Sequence, residues 1–364
     1  MGCSAKESTN VKRDSIGEWI SRDKSQSLYI SPDHVGGTAK KNGVSQSLLG
    51  DKKWINENTI AGVWEKKVVN WVMRIWGDKM VLTSDDGRTL TMYREFSIPI
   101  YSGKIDLTES SSGLPPDSWI DSISVDPKDP NIIFASGTGF TYKSIDGGKT
   151  WAGATNTISF WVHKIVFDPL SSNTIYATTV TDGVMKSDDM DNSWAPFEQE
   201  FPFVISMAID PSNSDTIYIT PSEKGIFKSN DGGKKWIESN SGLPDLWSQV
   251  IAINPSISTN LFTNTISRGM FTSTDGGNSW KDNQNWKLGF HITDIVFDRQ
   301  VPPIMYIVAD GVLFKSSDNG MNFVEIENEQ LSDINLFCVD VDPVNSNILY
   351  LGSQSGIYKL TLTP

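Results

Sequence analysis

This 364-residue chain has little histidine, little cysteine and too few basic residues to balance its acids. Three histidines (His34, His163, His291) and two cysteines (Cys3, Cys338) are too few and too scattered for a zinc site, and neither metal nor cofactor is expected. Cys3 stands at the N-terminus and Cys338 inside an apolar strand, so Cys338 reads as a buried free thiol that behaves as a small hydrophobe. Thirty-one Lys and Arg against 44 Asp and Glu leave a net charge of −13. Without a basic surface to displace counterions, nucleic acid is excluded as a partner. An anionic membrane surface is excluded as a direct ligand for the same reason. No apolar run is long enough to span a bilayer. Neutral polysaccharides, proteins and cationic ligands remain.

What the chain does have is glycine (29), proline (17) and tryptophan (13), a composition suited to an all-β protein with many turns. Much of it is periodic. The pattern Ser-x-Asp-x-Gly-x-x-Trp occurs at Ser144–Trp151, Ser229–Trp236 and Ser273–Trp280, at Ser187–Trp194 with Asp191 in place of the Gly, and in a degenerate fifth copy at Ser316–Phe323. The aspartates Asp146, Asp189, Asp231, Asp275 and Asp318 follow one another at intervals of 43, 42, 44 and 43 residues. Before each copy lies an apolar strand ending in Asp-Pro or a variant, then a polar turn, a second strand and a Gly-led third strand; the Trp opens a fourth. Four short strands in about 43 residues is the repeat of a propeller blade.

The apolar strand with its Asp-Pro end occurs six times, but the last repeat stops after its third strand. Lys104–Leu107, before the first repeat, is expected to supply the missing fourth strand and so close the ring. The reading is an all-β, six-bladed propeller over 98–364. The five repeated aspartates are read as structural: each can accept backbone N–H groups of a tight turn, while Gly supplies positive φ and the aromatic packs between sheets.

Residues 1–14 read as a flexible tether. Met1-Gly2-Cys3-Ser4-Ala5-Lys6 resembles the end of a bacterial lipoprotein signal, which implies lipidation at Cys3 and an extracytoplasmic location at the cell surface or in the periplasm. Residues 15–97, with strands at Val68–Ile75, Lys79–Thr83 and Thr89–Arg94 and Gly17-Glu-Trp19 near the start, resemble a small lipocalin-like β-domain.

The repeated motif is similar to that of the Asp-box (BNR) propeller superfamily, which includes sialidases, xyloglucanase-type glycoside hydrolases, sortilin-type receptors and photosystem II assembly factors. Sialidases place an arginine in Phe/Tyr-Arg-Ile-Pro; this chain has Phe96-Ser97-Ile98-Pro99 there. Beyond it the propeller contains only Arg268 and Arg299, too few for the three arginines that hold a sialidase substrate. The longer motifs around the catalytic aspartates of the xyloglucanase-type enzymes are not found.

Propeller ligands usually bind where the loops leading into the innermost strands converge. Aligned on the Asp-Pro anchors, those loops present Trp119, Trp161, Phe203, Trp247, His291 and Asn335. Two residues later come Asp121, His163, Ile205, Gln249, Thr293 and Phe337; one further come Ser122, Lys164, Ser206, Val250, Asp294 and Cys338. The loops between second and third strands add Asp182, Lys224, Arg268 and Asp310 to the rim. Aromatic platforms around a few polar groups suit stacking on sugar faces or gripping a peptide. Packing between blades is the competing structural role. Two functions follow: a monomeric, surface-tethered, non-catalytic module that binds a polysaccharide or protein; or a glycoside hydrolase using Asp121 and Asp294, on blades 1 and 5, as its acid/base pair.

Overall fold

A computed structural model describes the backbone of nine strands between residues 17 and 94. It also describes residues 100–363, apart from 138, 155–160, 172, 198–200, 285–290, 328–329 and 332. Cys3 and the segment 96–99 lie outside the described residues. The chain divides into two compact units, Met1–Ser97 with Lys287–Gly289, and Ile98–Trp286 with Phe290–Pro364.

The first unit contains one antiparallel sheet. Its strands are β1 (Gly17–Ile20), β2 (Gln26–Ile30), β3 (Val35–Lys41), β4 (Val44–Gly50), β5 (Lys53–Asn56), β6 (Thr59–Trp64), β7 (Lys67–Trp76), β8 (Lys79–Ser84) and β9 (Thr89–Arg94). Their order is β4-β3-β2-β1-β9-β8-β7-β6-β5, so two meanders are joined by pairing of the first strand with the last.

The second unit is a six-bladed β-propeller, each blade a four-stranded antiparallel sheet. Its innermost strands are Ser122–Val125, Val162–Phe167, Val204–Asp210, Ile251–Ile253, Ile292–Phe297 and Leu336–Val341, for blades 1 to 6. They neighbour one another in that order, and blade 6 returns to blade 1. Closure follows the sequence expectation: Lys104–Glu109 pairs with Gly356–Thr363 as the outer strand of blade 6, joining the two ends of the propeller in one sheet. This pairing leaves no open edge at the seam.

Period-two alternation explains the packing of the inner strands. Ile123 and Val125, Ile165 and Phe167, Met207 and Ile209, Ile251 and Ile253, and Val339 and Val341 belong to apolar clusters between blades. The residues between and before them turn the other way, into the central channel.

The Ser-x-Asp turns share one hydrogen-bond pattern. In the first, Asp146 Oδ1 accepts the Ser144 hydroxyl at 2.8 Å and the Thr150 N–H at 2.9 Å, while Ser144 Oγ accepts the Gly148 N–H at 2.9 Å. The same set recurs around Asp189, Asp231, Asp275 and Asp318. The turn needs two successive residues at positive φ, met by Gly147 and Gly148 in the first copy. In the second, Met190 (φ 53°) and Asp191 (φ 82°) take that conformation without being glycine. In two copies the aromatic that ends the turn ties its blade to the preceding one: Trp151 Nε1 donates to Ser110 O at 2.6 Å and Trp280 Nε1 to Ser239 O at 2.7 Å. Each of these buried indoles stabilises the fold by roughly 1.5–3 kcal/mol from area alone.

Candidate functional site

The rim is built by backbone before any side chain matters. In blades 2 to 6 the innermost strand is preceded by a residue whose carbonyl accepts an N–H from the loop after its own blade's second strand. Val180 N donates to Trp161 O, Ser222 N to Phe203 O, Ile266 N to Trp247 O, Asp310 N to His291 O and Gln354 N to Asn335 O, at 2.8–3.4 Å. Neighbouring blades are stitched at the same level: Phe203 N donates to Val180 O, Ile120 N to Ser353 O and Leu336 N to Gly311 O. Phe203 pays for its place with a left-handed backbone, φ 60°, which a bulky residue adopts only when its surroundings impose it.

On that frame the six aligned side chains point outward. Trp161 is 57% exposed, Trp119 44%, Trp247 42% and Phe203 38%, and His291 and Asn335 are exposed as well. Core-packing residues of this size would be covered, so packing between blades takes up only part of their surface.

The next aligned position is a β-bulge in four blades. Pairing skips a residue between Val162 and Lys164, Val204 and Ser206, Ile292 and Asp294, and Leu336 and Cys338, which leaves His163, Ile205, Thr293 and Phe337 unpaired. A bulge re-aims its side chain, here toward the mouth. Phe337 stacks on Trp119 with centroids 4.7 Å apart and planes 5° apart. The other side of the pair is polar: Trp119 Nε1 donates to Asp121 Oδ1 at 2.7 Å. Burial raises the Asp121 carboxyl above its ordinary range, and the indole hydrogen bond offsets part of that shift. His163 meets Phe203 edge-on at 5.2 Å. Its Nε2 is buried without a hydrogen-bond partner, and desolvation lowers its pKa, favouring neutral imidazole.

One layer deeper the channel is crossed by an ion pair. Lys164 Nζ of blade 2 lies 2.7 Å from Asp294 Oδ1 of blade 5. Burial pulls the Lys164 ammonium down, but the charge and hydrogen bond of Asp294, with Asp340 beyond, outweigh it and hold the ammonium above its ordinary range. Asp294 Oδ1 also accepts Ile295 N at 3.0 Å, and Oδ2 accepts Val339 N of blade 6 at 3.2 Å. Cys338 beside them is fully buried, and its thiol is pushed well up by desolvation.

Asp121 and Asp294 sit in different surroundings. Asp121 is an exposed rim residue on blade 1; Asp294 is buried in the channel on blade 5, with blade 6 between them. Oδ1 of Asp294 is taken by Lys164 and Ile295 N, while Oδ2 accepts one N–H, from Val339. Gln249 is part of the scaffold, its N–H donating to Asn264 Oδ1 at 2.9 Å while Asn264 Nδ2 reaches Ile292 O of the next blade at 3.2 Å. Arg268 and Lys224 stand exposed on the loops after the second strands. Sequence reasoning did not select Phe337, Asn264 or Asp340; for Phe337 the available signal was an aromatic in the aligned position that carries Asp121 and His163 elsewhere. Among the described residues no group of His, Cys, Asp and Glu is arranged to hold a metal ion.

No family model and no curated protein sequence matches the chain. Solved structures do. An auxiliary nutrient binding protein from Bacteroides thetaiotaomicron aligns over 91% of this chain and 95% of its own, at 10% identity and a TM-score of 0.56. A GH74 xyloglucanase from Xanthomonas campestris aligns over 70% of this chain at 12% identity and a TM-score of 0.50. The match covers 53% of that enzyme, so the chain spans about half its length. A GH74 enzyme from Niastella koreensis aligns over 93% of this chain and 66% of its own, at 15% identity and a TM-score of 0.50. At these identities the likeness is one of fold.

Proposed function

We propose that the chain is a non-catalytic carbohydrate-binding module, tethered through Cys3 to an extracytoplasmic membrane, whose propeller rim grips a polysaccharide. The observation that carries this reading is the set of exposed aromatics Trp119, Trp161, Phe203 and Trp247, held on a hydrogen-bonded backbone frame. Sugar rings present apolar C–H faces that stack on such platforms, and hydroxyls that Asp121, His163, Lys224 and Arg268 can meet. The Bacteroides neighbour, matched along nearly its whole length, is a nutrient-binding protein, which supports a binding role. The GH74 neighbours would favour hydrolysis, but that reading needs Asp294 as a reacting carboxyl, and Lys164 and the Val339 N–H oppose it. A peptide ligand at the same rim is the alternative outcome.

Affinity electrophoresis through gels containing xyloglucan, mixed-linkage β-glucan, xylan, mannan or starch tests the proposal. Retardation by at least one polysaccharide is expected, reduced in Trp119→Ala and Trp161→Ala, with no release of reducing ends. Turnover abolished by both Asp121→Asn and Asp294→Asn would replace binding by hydrolysis. Unretarded migration in every gel would remove the glycan.

A further inference from the structure

The channel has a second opening, on the face opposite the rim, with a cavity below the Lys164–Asp294 pair. The layer of inner-strand residues there is Ser124, Val166, Ala208, Ala252, Val296 and Asp340, one from each blade. Five of the six are small or medium side chains that do not meet in the middle, and they leave a cavity of about 350 Å³. Lys164 stands at its inner end; the proline turns after the inner strands and Arg299 border its mouth. A smaller recess of about 170 Å³ shares Ser124, Val166, Phe297, Asp298, Arg299 and Asp340 with it. None of the aromatic rim residues contributes.

The polar groups of this cavity are unevenly matched. Asp340 Oδ2 accepts Val125 N at 2.7 Å and Oδ1 accepts Val341 N at 2.8 Å, which leaves acceptor capacity on both oxygens. Among the described residues no lysine or arginine forms an ion pair with Asp340. Lys164 is committed to Asp294, and Arg299 donates to Pro127 O at 3.0 Å. Asp298, 1% exposed, lines the same cavity; its Oδ1 is used by Gln300 N and Ile304 N, whereas its Oδ2 is buried with no hydrogen-bond partner. Carboxylates with spare acceptors beside apolar walls suit a cation with an apolar body, because such a group supplies donors that Lys164 and Arg299, hydrogen-bonded elsewhere, do not.

We infer that the lower channel is a binding site for a small organic cation, an alkyl- or arylammonium whose head group meets Asp340 and Asp298 and whose apolar part lies against Ala208, Ala252 and Val296. The site is separate from the rim and does not depend on the glycan reading. It is small, at the lower end of the 300–1,000 Å³ range of ligand pockets.

Benzylamine is a suitable probe, with benzyl alcohol and benzoate as neutral and anionic counterparts of the same shape. Protein labelled with ¹³C at alanine methyls places reporters at Ala208 and Ala252. Benzylamine is expected to shift both methyls saturably, with benzyl alcohol at least tenfold weaker and benzoate without effect. Asp340→Asn should weaken benzylamine at least tenfold, and Ala252→Leu, which narrows the cavity without touching a charge, should weaken all three probes. Equal shifts from benzyl alcohol or benzoate, or Ala208 and Ala252 methyls unmoved by benzylamine, would overturn the assignment. Should Asp340→Asn fail to fold, the comparison of the three probes on the wild-type chain still decides it.

Discussion

Lys164 Nζ and Asp294 Oδ1, from blades that face one another across the ring of six, meet at 2.7 Å and span the centre of the propeller. The side chains are 21% and 6% exposed, so both charges sit largely out of water. Removing one partner strands the other. Lys164→Met is expected to cost about 3 kcal/mol, whereas Lys164→Met with Asp294→Leu should recover most of that loss. Urea unfolding of the wild type and the two variants measures it, and equal losses in the single and double variants would show that the pair itself contributes little.

At the rim the expectation is reversed. Trp119 and Trp161 are exposed, so Trp161→Ala should leave the unfolding midpoint unchanged while weakening polysaccharide binding about tenfold, the equivalent of one stacking platform. Trp119→Ala also frees Phe337 and Asp121 and should weaken binding more than Trp161→Ala does. A lowered midpoint in Trp161→Ala would mark that residue as packing rather than platform.

The repeated Ser-x-Asp turns should behave in the opposite way to the rim. Asp275 accepts the Ser279 N–H at 2.9 Å and the hydroxyls of Ser279 at 2.6 Å and Ser273 at 2.8 Å, and those bonds hold its pKa down at about 2. Asp275→Ala should lower the unfolding midpoint and leave ligand affinity untouched. Because the folded pKa lies below the unfolded one, this contribution is present above about pH 4 and is lost as pH falls toward 2. A ligand-affinity loss at unchanged stability would move these aspartates from scaffold to site.

Asp340 gives a pH dependence of the other sign. Burial raises its carboxyl to about 6, against the two backbone N–H bonds that lower it. The folded state then holds a proton that the unfolded state has released between about pH 4 and 6. This group therefore opposes folding at neutral pH, and the opposition fades as pH falls through 6. Other charges shape the same titration: Asp294 and Lys164 across the channel, and Arg299 at its mouth. The wild-type midpoint, measured relative to Asp340→Asn, should rise between pH 7.5 and 5. A constant difference over that range would place Asp340 at an ordinary pKa.

How much of this could be read from the chain differs from element to element. Six copies of the Asp-Pro strand and a missing last strand were enough to expect six blades, with Lys104–Leu107 closing them. A repeat registers every local choice several times, and Lys104–Glu109 does pair with Gly356–Thr363. Alignment on the same anchors placed Trp119, Trp161, Phe203 and Trp247 in equivalent positions, and all four are exposed. The pairing of Asp121 with Asp294 as two free acids was a different kind of step. It took residues from two different aligned positions: Asp121 stands exposed on blade 1, where the inner strand pairs without a bulge, and Asp294 is 4% exposed just past the bulge of blade 5.

The order of polar and apolar residues along each 43-residue period, with its glycines and box aspartates, was by itself enough to determine a closed ring of small antiparallel sheets. Each blade's pattern is satisfied by local hydrogen bonds and by burial against a neighbour of the same design. Only the tertiary structure decided which side chains meet in the channel. Lys164 and Asp294 are 130 residues apart, and nothing in either repeat encodes the other; they are partners because ring closure sets blade 2 opposite blade 5. The same closure left the layer of Ser124, Ala208, Ala252 and Asp340 unfilled, since the diameter of the channel is set by the number of blades and not by the volume of the residues facing it.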